Sequence, residues 1–195
     1  MPWGPVRLSP PTTAMFAAVN QSASGGSITS HPNGVVVQMP ALSTNTPMVA
    51  ATPVPSSTPW SLTGQVVPVL FNINYTAAGL FMYEASTSKF VLLGTYYNSG
   101  WLRANMQTGT LPSTFGANVT QMDTDAPVSL YKILNNGSNL TYYVSCDGAN
   151  FVQIAQRTLT TDFTTGPTHY GIAAMAQNAT WPASILCTHW APGTS

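Results

Sequence analysis

One short stretch of the sequence combines an aromatic ring, a guanidinium group and an amide at alternate positions. Side chains on a β-strand alternate between its two faces, so Trp101, Arg103 and Asn105 share one face if this stretch is a strand. Leu102 and Ala104 then face the other way, toward a core. An aromatic ring can stack on the apolar side of a sugar, while amides and guanidinium groups bond its hydroxyls. The pattern therefore predicts a glycan-binding strip.

The turn before this strand adds a second aromatic residue to the strip. The tripeptide Asn98–Gly100 is typical of a three-residue hairpin loop with Gly at its end. Such a loop places Tyr97 across from Trp101 and Thr95 across from Arg103, so we include Tyr97 in the predicted strip. A purely structural interpretation stays open, in which Tyr97 and Trp101 form a cross-strand pair and Arg103 stacks on Trp101.

Acidic residues are too sparse to form a recognisable catalytic pair. Glycoside hydrolysis needs two carboxylates across one bond, and Glu84, the only Glu in the chain, has no acidic neighbour on its strand. Asp123 and Asp125 share a parity, but Thr124 and Pro127 indicate a loop in which the two carboxylates cap turns. A Gly-x-Ser-x-Gly nucleophile motif is also missing from the sequence. We therefore expect no catalytic residues and a protein that is not an enzyme.

Three histidines are candidate metal ligands, but the sequence gives them no obvious partners. His31, His169 and His189 are far apart in sequence, although His169 and His189 could approach each other on neighbouring strands. A zinc site needs three or four ligands with supporting groups, and calcium needs acidic loops. We therefore expect no metal, no cofactor and three partly exposed strand or turn histidines.

The two cysteines, Cys146 and Cys187, leave two alternatives open. They could form a disulfide, but one candidate pair is not a disulfide framework. In the other interpretation they are two small buried hydrophobic side chains.

The composition excludes several classes of protein. Charged residues are 5% of the 195-residue chain, against about 25% in an average soluble protein. A formal net charge of zero gives no field that attracts phosphate backbones, so we expect no nucleic-acid partner. A hydrophobic content of 44% argues against disorder. No apolar run approaches the roughly 18 residues of a membrane span, so we expect no membrane partner.

The first 13 residues differ from the rest of the chain. Residues 1–13 hold four prolines and one glycine around Trp3 and Arg7. Proline lacks a backbone donor and fixes φ, so this segment is not expected to pair inside a sheet. It contains no apolar stretch typical of a secretory signal peptide. We predict an extended assembly arm in which Trp3 is the anchor, with a frayed terminus as the alternative.

Residues 14–195 follow one continuous pattern of strand, turn and strand. The segment Trp60–Val66 alternates as a half-buried strand does, and Asn33-Gly34 is the dipeptide of tight hairpins. Turn signals recur roughly every 8–12 residues, and we find no convincing helix start or stop. We therefore predict a single all-β domain over residues 14–195, with about eleven strands in an antiparallel sandwich or barrel.

The order of several segments resembles a known family. The matching segments are Trp60–Thr63, Ala78–Phe81 followed by Ser86–Val91, Tyr96–Trp101, Asn136–Phe151, and Ala176–Thr180 before a closing Ile185–Trp190 strand. Together they are similar to the concanavalin A-like, laminin G-like jelly-roll domains found in structural proteins of tailed-bacteriophage virions. The resemblance covers everything except the arm. It implies a two-sheet antiparallel jelly-roll β-sandwich and residence in a virion.

From these features we predict a non-enzymatic structural protein of a tailed-phage particle. The main hypothesis is a capsid decoration or cement protein on the particle exterior, made in the host cytoplasm without a signal peptide. Its expected partners are other virion proteins, further copies of itself and, through the strip, host or environmental glycans. Near-zero net charge permits such dense packing. A tail-associated adhesin or fibre-tip subunit is the second hypothesis, and a free carbohydrate-binding module is the third.

Overall fold

The computed structural model describes residues 10–69, 75–124, 128–176 and 182–194. In these ranges the chain forms fourteen strands and two four-residue helices, α1 (Gln21–Ser24) and α2 (Leu159–Asp162), with a 3₁₀ turn at Thr13–Met15. The strands are β1 (Ala17–Val19), β2 (Ser27–His31), β3 (Gly34–Met39), β4 (Thr46–Pro53), β5 (Trp60–Val69), β6 (Thr76–Tyr83), β7 (Lys89–Asn98), β8 (Trp101–Thr110), β9 (Thr114–Asp123), β10 (Leu130–Asn135), β11 (Asn139–Ser145), β12 (Val152–Thr158), β13 (His169–Ala176) and β14 (Ala183–Thr194). The predicted all-β class is confirmed.

Two antiparallel sheets of seven strands each make up the sandwich. Sheet A has the order β1-β4-β13-β6-β7-β8-β9, and sheet B has the order β12-β11-β10-β5-β14-β3-β2. Strands adjacent in space are often distant in sequence, as in the pairing of β14 with both β3 and β5. These crossovers, together with the two packed layers, agree with the predicted jelly-roll sandwich.

The main hydrophobic core lies between the two sheets and follows from strand alternation. On β6 of sheet A, Leu80 and Met82 are fully buried in this core. On β10 of sheet B, Tyr131 and Ile133 meet them from the other side. The Thr95 hydroxyl of β7 lies 2.6 Å from the Tyr131 hydroxyl, so this polar contact inside the core is satisfied across the two sheets.

A chain of aromatic rings stabilises one end of this core. Phe16 packs edge-on against Trp190 with ring centroids 5.1 Å apart, and Trp190 packs against Tyr170 at 5.5 Å. Tyr170 in turn contacts Trp60 at 5.5 Å, again edge-on. Aromatic pairs prefer this geometry, and each adds about 0.5–1.5 kcal/mol beyond the area that it buries.

The outer face of sheet A carries a second buried apolar layer. Its members are Val49, Ala51, Ala77, Phe81, Phe90, Leu92, Tyr96, Ala173 and Met175. They alternate along their strands with the residues of the main core, so the central strands of sheet A are apolar on both faces. Gly94 and Gly79 face each other in this layer. A Cβ on Gly94 would lie 2.1 Å from the Ala78 carbonyl oxygen, so the close approach of β6 and β7 requires glycine there.

The predicted count of about eleven strands is too low, and β9 is one strand that the prediction missed. Most of its side chains are exposed, including Asn118 and Gln121. It forms the edge of sheet A through its ladder with β8. Asp123, predicted to cap a turn in a loop, is instead the last residue of this strand. Asp125 lies outside the described residues.

The cysteines and histidines depart from several expectations. Cys146 and Cys187 are both free, and Cys146 is exposed, so they form neither a disulfide nor two buried side chains. His169 lies on β13 of sheet A and His189 on β14 of sheet B, so the prediction that they could meet on neighbouring strands is wrong. His189 is also buried rather than partly exposed. Among the described residues no three His, Cys, Asp or Glu side chains come together as metal ligands.

Little of the predicted arm is described. Trp3 and Arg7 lie outside the described residues, and Pro10–Thr12 have no regular secondary structure before the 3₁₀ turn begins at Thr13. In the described ranges no helix has the length and apolar character needed to cross a membrane.

Candidate functional site

The β7–β8 hairpin, which carries the predicted strip, is one residue tighter than predicted. Asn98 pairs with Trp101, so only Ser99 and Gly100 form the turn. Both turn residues have positive φ, at 54° and 89°. Positive φ at both positions is the geometry of a type I′ hairpin turn, whose twist matches that of the flanking strands. The predicted three-residue loop is wrong because a serine takes up the left-handed conformation that usually favours Gly, Asn or Asp.

This change of register moves the aromatic neighbour of the strip. Tyr97 pairs with Leu102, and Tyr96 pairs with Arg103. Tyr97 therefore faces away from Trp101, Arg103 and Asn105, on the same side as Thr95. Tyr96, which the sequence did not single out, lies in the outer apolar layer beside Arg103. The parity argument on β8 itself is confirmed, because Ala104 lies in the core between the sheets.

Arg103 is held in place by residues of β9. Its Nε donates a hydrogen bond of 2.7 Å to Asp123 Oδ1, and its Nη1 donates one of 3.0 Å to Gln121 Oε1. Its Nη2 has no acceptor within the described part of the chain, so these N–H groups are free to bind a ligand oxygen. The Arg103 side chain is 20% exposed and that of Asp123 is 68% exposed.

Trp101 lies on the same face of β8 as Arg103, next to the hairpin turn, and is 57% exposed. We call the side chains on this face of β8 the row that contains Trp101. The exposed ring of Trp101 is therefore open to stacking contact with a ligand. Within the described residues it has no ring contact with Tyr97 and no cation–π contact with Arg103. The purely structural interpretation of the strip therefore does not describe these residues. Arg103 is instead oriented by Asp123, whose contribution the sequence did not indicate.

Two amides continue the row toward the middle of the sheet, and both are 1% exposed. Asn105 Nδ2 donates a 3.0 Å hydrogen bond to Asn118 Oδ1, but Asn105 Oδ1 has no partner. Neither amide atom of Gln107 has a partner. Buried polar groups are nearly always hydrogen-bonded, and each exception calls for a functional or structural reason. Asn105 faces Gly94 across the ladder, so no side chain stands beside its amide there.

Glu84, the one candidate for a glycosidase carboxylate, lies elsewhere and is fully occupied. Its side chain is completely buried. One carboxylate oxygen accepts hydrogen bonds from the Thr87 hydroxyl and the Thr164 N–H, and the other accepts bonds from the N–H and hydroxyl of Thr165. Burial would raise the pKa of Glu84, but these hydrogen bonds lower it to about 2. Glu84 therefore holds a loop in place. Both of its carboxylate oxygens already accept hydrogen bonds, so neither is free to bind a substrate.

Comparison with known proteins gives a fold but no family. No protein-family model matches the sequence, and no curated protein matches it. Among solved structures, a functionally unknown protein from Saccharomyces cerevisiae superposes with a TM-score of 0.67 at 11% identity, covering 94% of this chain and 98% of that one. The carbohydrate-binding module CBM66 from Bacillus subtilis superposes with a TM-score of 0.55 at 9% identity, covering 96% and 98%.

The same sandwich also occurs as one part of larger proteins. A GH43 protein from Bacillus licheniformis matches with a TM-score of 0.61 at 11% identity, over 83% of this chain but only 33% of its own length. The chain thus spans about a third of that protein and nearly all of the binding module. At these identities the likeness shows the fold alone. It is a jelly-roll-like β-sandwich of the kind seen in carbohydrate-binding modules, and none of these three structures is of a phage protein.

Proposed function

We propose that this protein is a non-enzymatic carbohydrate-binding module, the third hypothesis from the sequence. The observation that carries the proposal is Trp101, a ring 57% exposed on the same face of β8 as an oriented arginine. The fold likeness to CBM66 over the full length of both chains supports it. The glycan role of Trp101, Arg103 and Asn105 remains a prediction, and Tyr96 replaces Tyr97 as their aromatic neighbour.

In this proposal each group has a separate task. The Trp101 ring offers an apolar platform for the C–H face of a sugar ring. Arg103, prealigned by Asp123 and Gln121, donates its free Nη2 hydrogens to sugar hydroxyls, so little side-chain entropy is lost on binding. The amides of Asn105 and Gln107 continue the row but are buried, so they reach a ligand only through a side-chain movement.

A glycan array followed by calorimetry on the best neutral hit tests the proposal. Trp101→Ala should weaken binding at least tenfold, because the substitution removes the aromatic ring on which the sugar stacks. Stability should change by less than about 1 kcal/mol, because the ring is mostly exposed. Val152→Ala is the matched control: Val152 is 56% exposed on β12 of the other sheet and should leave glycan affinity unchanged.

Two results would contradict the proposal. Failure to bind any neutral glycan on the array would remove neutral glycans as ligands of the surface around Trp101. A loss of several kcal/mol of stability in Trp101→Ala, with unchanged glycan affinity, would identify Trp101 as a packing residue.

The virion role stays a prediction from the sequence resemblance. It includes the decoration or adhesin position, assembly with virion proteins or further copies, and the arm formed by residues 1–13. Purified particles test it. Absence of the full-length protein from them would contradict the virion role, and normal incorporation of a chain that lacks residues 1–13 would contradict the arm.

A further inference from the structure

A polar cleft lies where the edges of the two sheets approach each other. We call it the inter-sheet cleft; it has a volume of about 270 Å³. Lys89, Thr108 and Thr110 line it from β7 and β8 of sheet A, and Arg157 and Asp162 line it from β12 and α2. Ligand pockets for drug-sized molecules occupy roughly 300–1,000 Å³. The cleft therefore suits one substituent or one sugar ring rather than a long chain.

The charges of this cleft do not cancel. Arg157 Nε donates to both carboxylate oxygens of Asp162, at 3.0 and 2.8 Å. Asp162 is 3% exposed and Arg157 is 29% exposed, so the carboxylate is buried beneath the guanidinium. Lys89 adds a second positive charge. The cleft is thus net positive, and it holds two of only five basic residues in the chain.

The cleft is also rich in unused donors. Within the described residues, Nη1 and Nη2 of Arg157 have no acceptor, and the hydroxyls of Thr108 and Thr110 have no partner. Lys89 Nζ makes a single long hydrogen bond of 3.3 Å to the Thr164 hydroxyl. The one acidic group, Asp162, is already bonded to Arg157. Free donors with a net positive charge match a ligand that carries oxygen acceptors and a negative charge.

A buried hydroxyl in the core between the sheets senses the charges of this ion pair, although it does not line the cleft. The Tyr142 side chain is fully buried, and its hydroxyl has no hydrogen-bond partner. Burial and the charge of Asp162 raise the pKa of Tyr142, and the charge of Arg157 opposes this rise, so the hydroxyl senses both members of the pair.

We propose that the inter-sheet cleft binds one anionic group, a carboxylate or a sulfate, carried by an acidic saccharide. The saccharide part rests on the proposed function, whereas the anionic part rests on the cleft itself. Arg157 would bind the anion through its two free Nη groups, and Lys89 would add charge from the opposite wall. The charged residues of this site, Lys89, Arg157 and Asp162, lie outside β8, the strand that carries Trp101, so the two sites are separable by mutation.

Calorimetry with three related trisaccharides tests the proposal. The probes are trigalacturonate, a sulfated galactose trisaccharide and neutral galactotriose. One of the two charged probes should bind at least tenfold more tightly than the neutral one, and which of them does so identifies the anionic group. The preference should shrink when NaCl is raised from 20 to 200 mM, because salt screens charge attraction.

Two variants and a matched control locate the site. Arg157→Lys keeps a positive charge against buried Asp162 but removes the guanidinium fork, and Lys89→Gln removes one charge from the opposite wall. Each should weaken binding of the charged probe at least tenfold. Lys132→Gln removes the same charge from β10, where Lys132 lies 5.8 Å from the Phe151 ring, and should change affinity less than twofold. In an NMR titration, the amide signals of Gly109 and Gly116, which line the cleft, should shift.

Several outcomes would overturn the cleft proposal. They are equal affinity for charged and neutral probes, equal losses in Lys89→Gln and Lys132→Gln, or silent Gly109 and Gly116 signals. Circular dichroism of each variant separates lost binding from lost folding, and Lys89→Gln leaves the ion pair intact if Arg157→Lys fails to fold. If Trp101→Ala alone abolishes binding of the charged probe, the cleft is wrong and the carbohydrate-binding proposal stands. If the charged probe binds in the cleft and Trp101→Ala has no effect, the cleft proposal stands and the role of Trp101 in carbohydrate binding is wrong.

Discussion

Replacing Glu84 by glutamine should destabilise the protein strongly although the change is nearly isosteric. The carboxylate accepts four hydrogen bonds, from Thr87, Thr164 and Thr165, and has no exposed surface. It joins the β6–β7 turn to a loop some 80 residues further along the chain. Glutamine has only one oxygen, so its NH₂ group must face either the Thr164 N–H or the Thr165 N–H.

The magnitude follows from two arguments. A buried N–H left without an acceptor costs about 1–3 kcal/mol. The pKa of Glu84 falls from 4.5 to about 2, which corresponds to about 3 kcal/mol of stabilisation by the charged form as an upper bound. We therefore expect Glu84→Gln to lower the free energy of unfolding by about 2 kcal/mol at pH 7.

The pH dependence gives the sign of the effect. A carboxyl whose pKa is lowered on folding stabilises the folded state above its unfolded pKa, and this stabilisation is lost as the pH falls toward the folded pKa. The difference between wild type and Glu84→Gln should thus be constant above about pH 5 and shrink between pH 4.5 and 2.

Urea unfolding followed by circular dichroism at pH 7, 4 and 2.5 measures this difference. Asp123→Asn is the control, because its carboxylate is 68% exposed and its surface ion pair is worth about 1 kcal/mol at most. A loss below about 0.5 kcal/mol at pH 7 would refute the reasoning. So would a loss of the same size at pH 2.5, because then the charge of Glu84 is irrelevant.

Three further predictions concern the packing of the sandwich. Native protein should react with a thiol reagent once, at exposed Cys146, and unfolded protein should react twice. Cys187 is protected in the folded protein because it is buried and burial raises its pKa to about 12. Mass spectrometry that finds two labels on native protein, or none, would contradict this prediction. Gly94→Ala should lower stability by about 1–3 kcal/mol in thermal or urea unfolding, since the new Cβ meets the Ala78 carbonyl oxygen at 2.1 Å; a neutral result would mean that β6 and β7 can separate freely. Gln107→Leu should raise stability by about 1 kcal/mol in the same assay, because a buried partnerless amide is replaced by an apolar group of similar size; a decrease would show that Gln107 has a partner in the folded protein.

Local patterns predict the sheet fold well and the edges of the sheets poorly. The alternation in β5 and β8 depends only on which face each side chain takes, and a buried face imposes it on the sequence directly. No residue of β9 is fully buried, although Val119 packs partly against the main core. The place of β9 beside β8 is fixed mainly by backbone pairing, which polar side chains permit, so its residue pattern is weak.

The sequence by itself determined that Trp101, Arg103 and Asn105 share a face, because a strand has a period of two whatever surrounds it. It did not determine what stands beside them. Tyr96 rather than Tyr97 adjoins Arg103 because Ser99 and Gly100 both adopt positive φ, and the sequence pattern does not reveal a choice of turn that depends on the twist of two strands. Several contacts join segments that are distant along the chain. They are those of Arg103 with Asp123, of Glu84 with Thr164, and between the two walls of the inter-sheet cleft. Only the packing of complete sheets brings such groups together, so only the tertiary structure decides which of them meet.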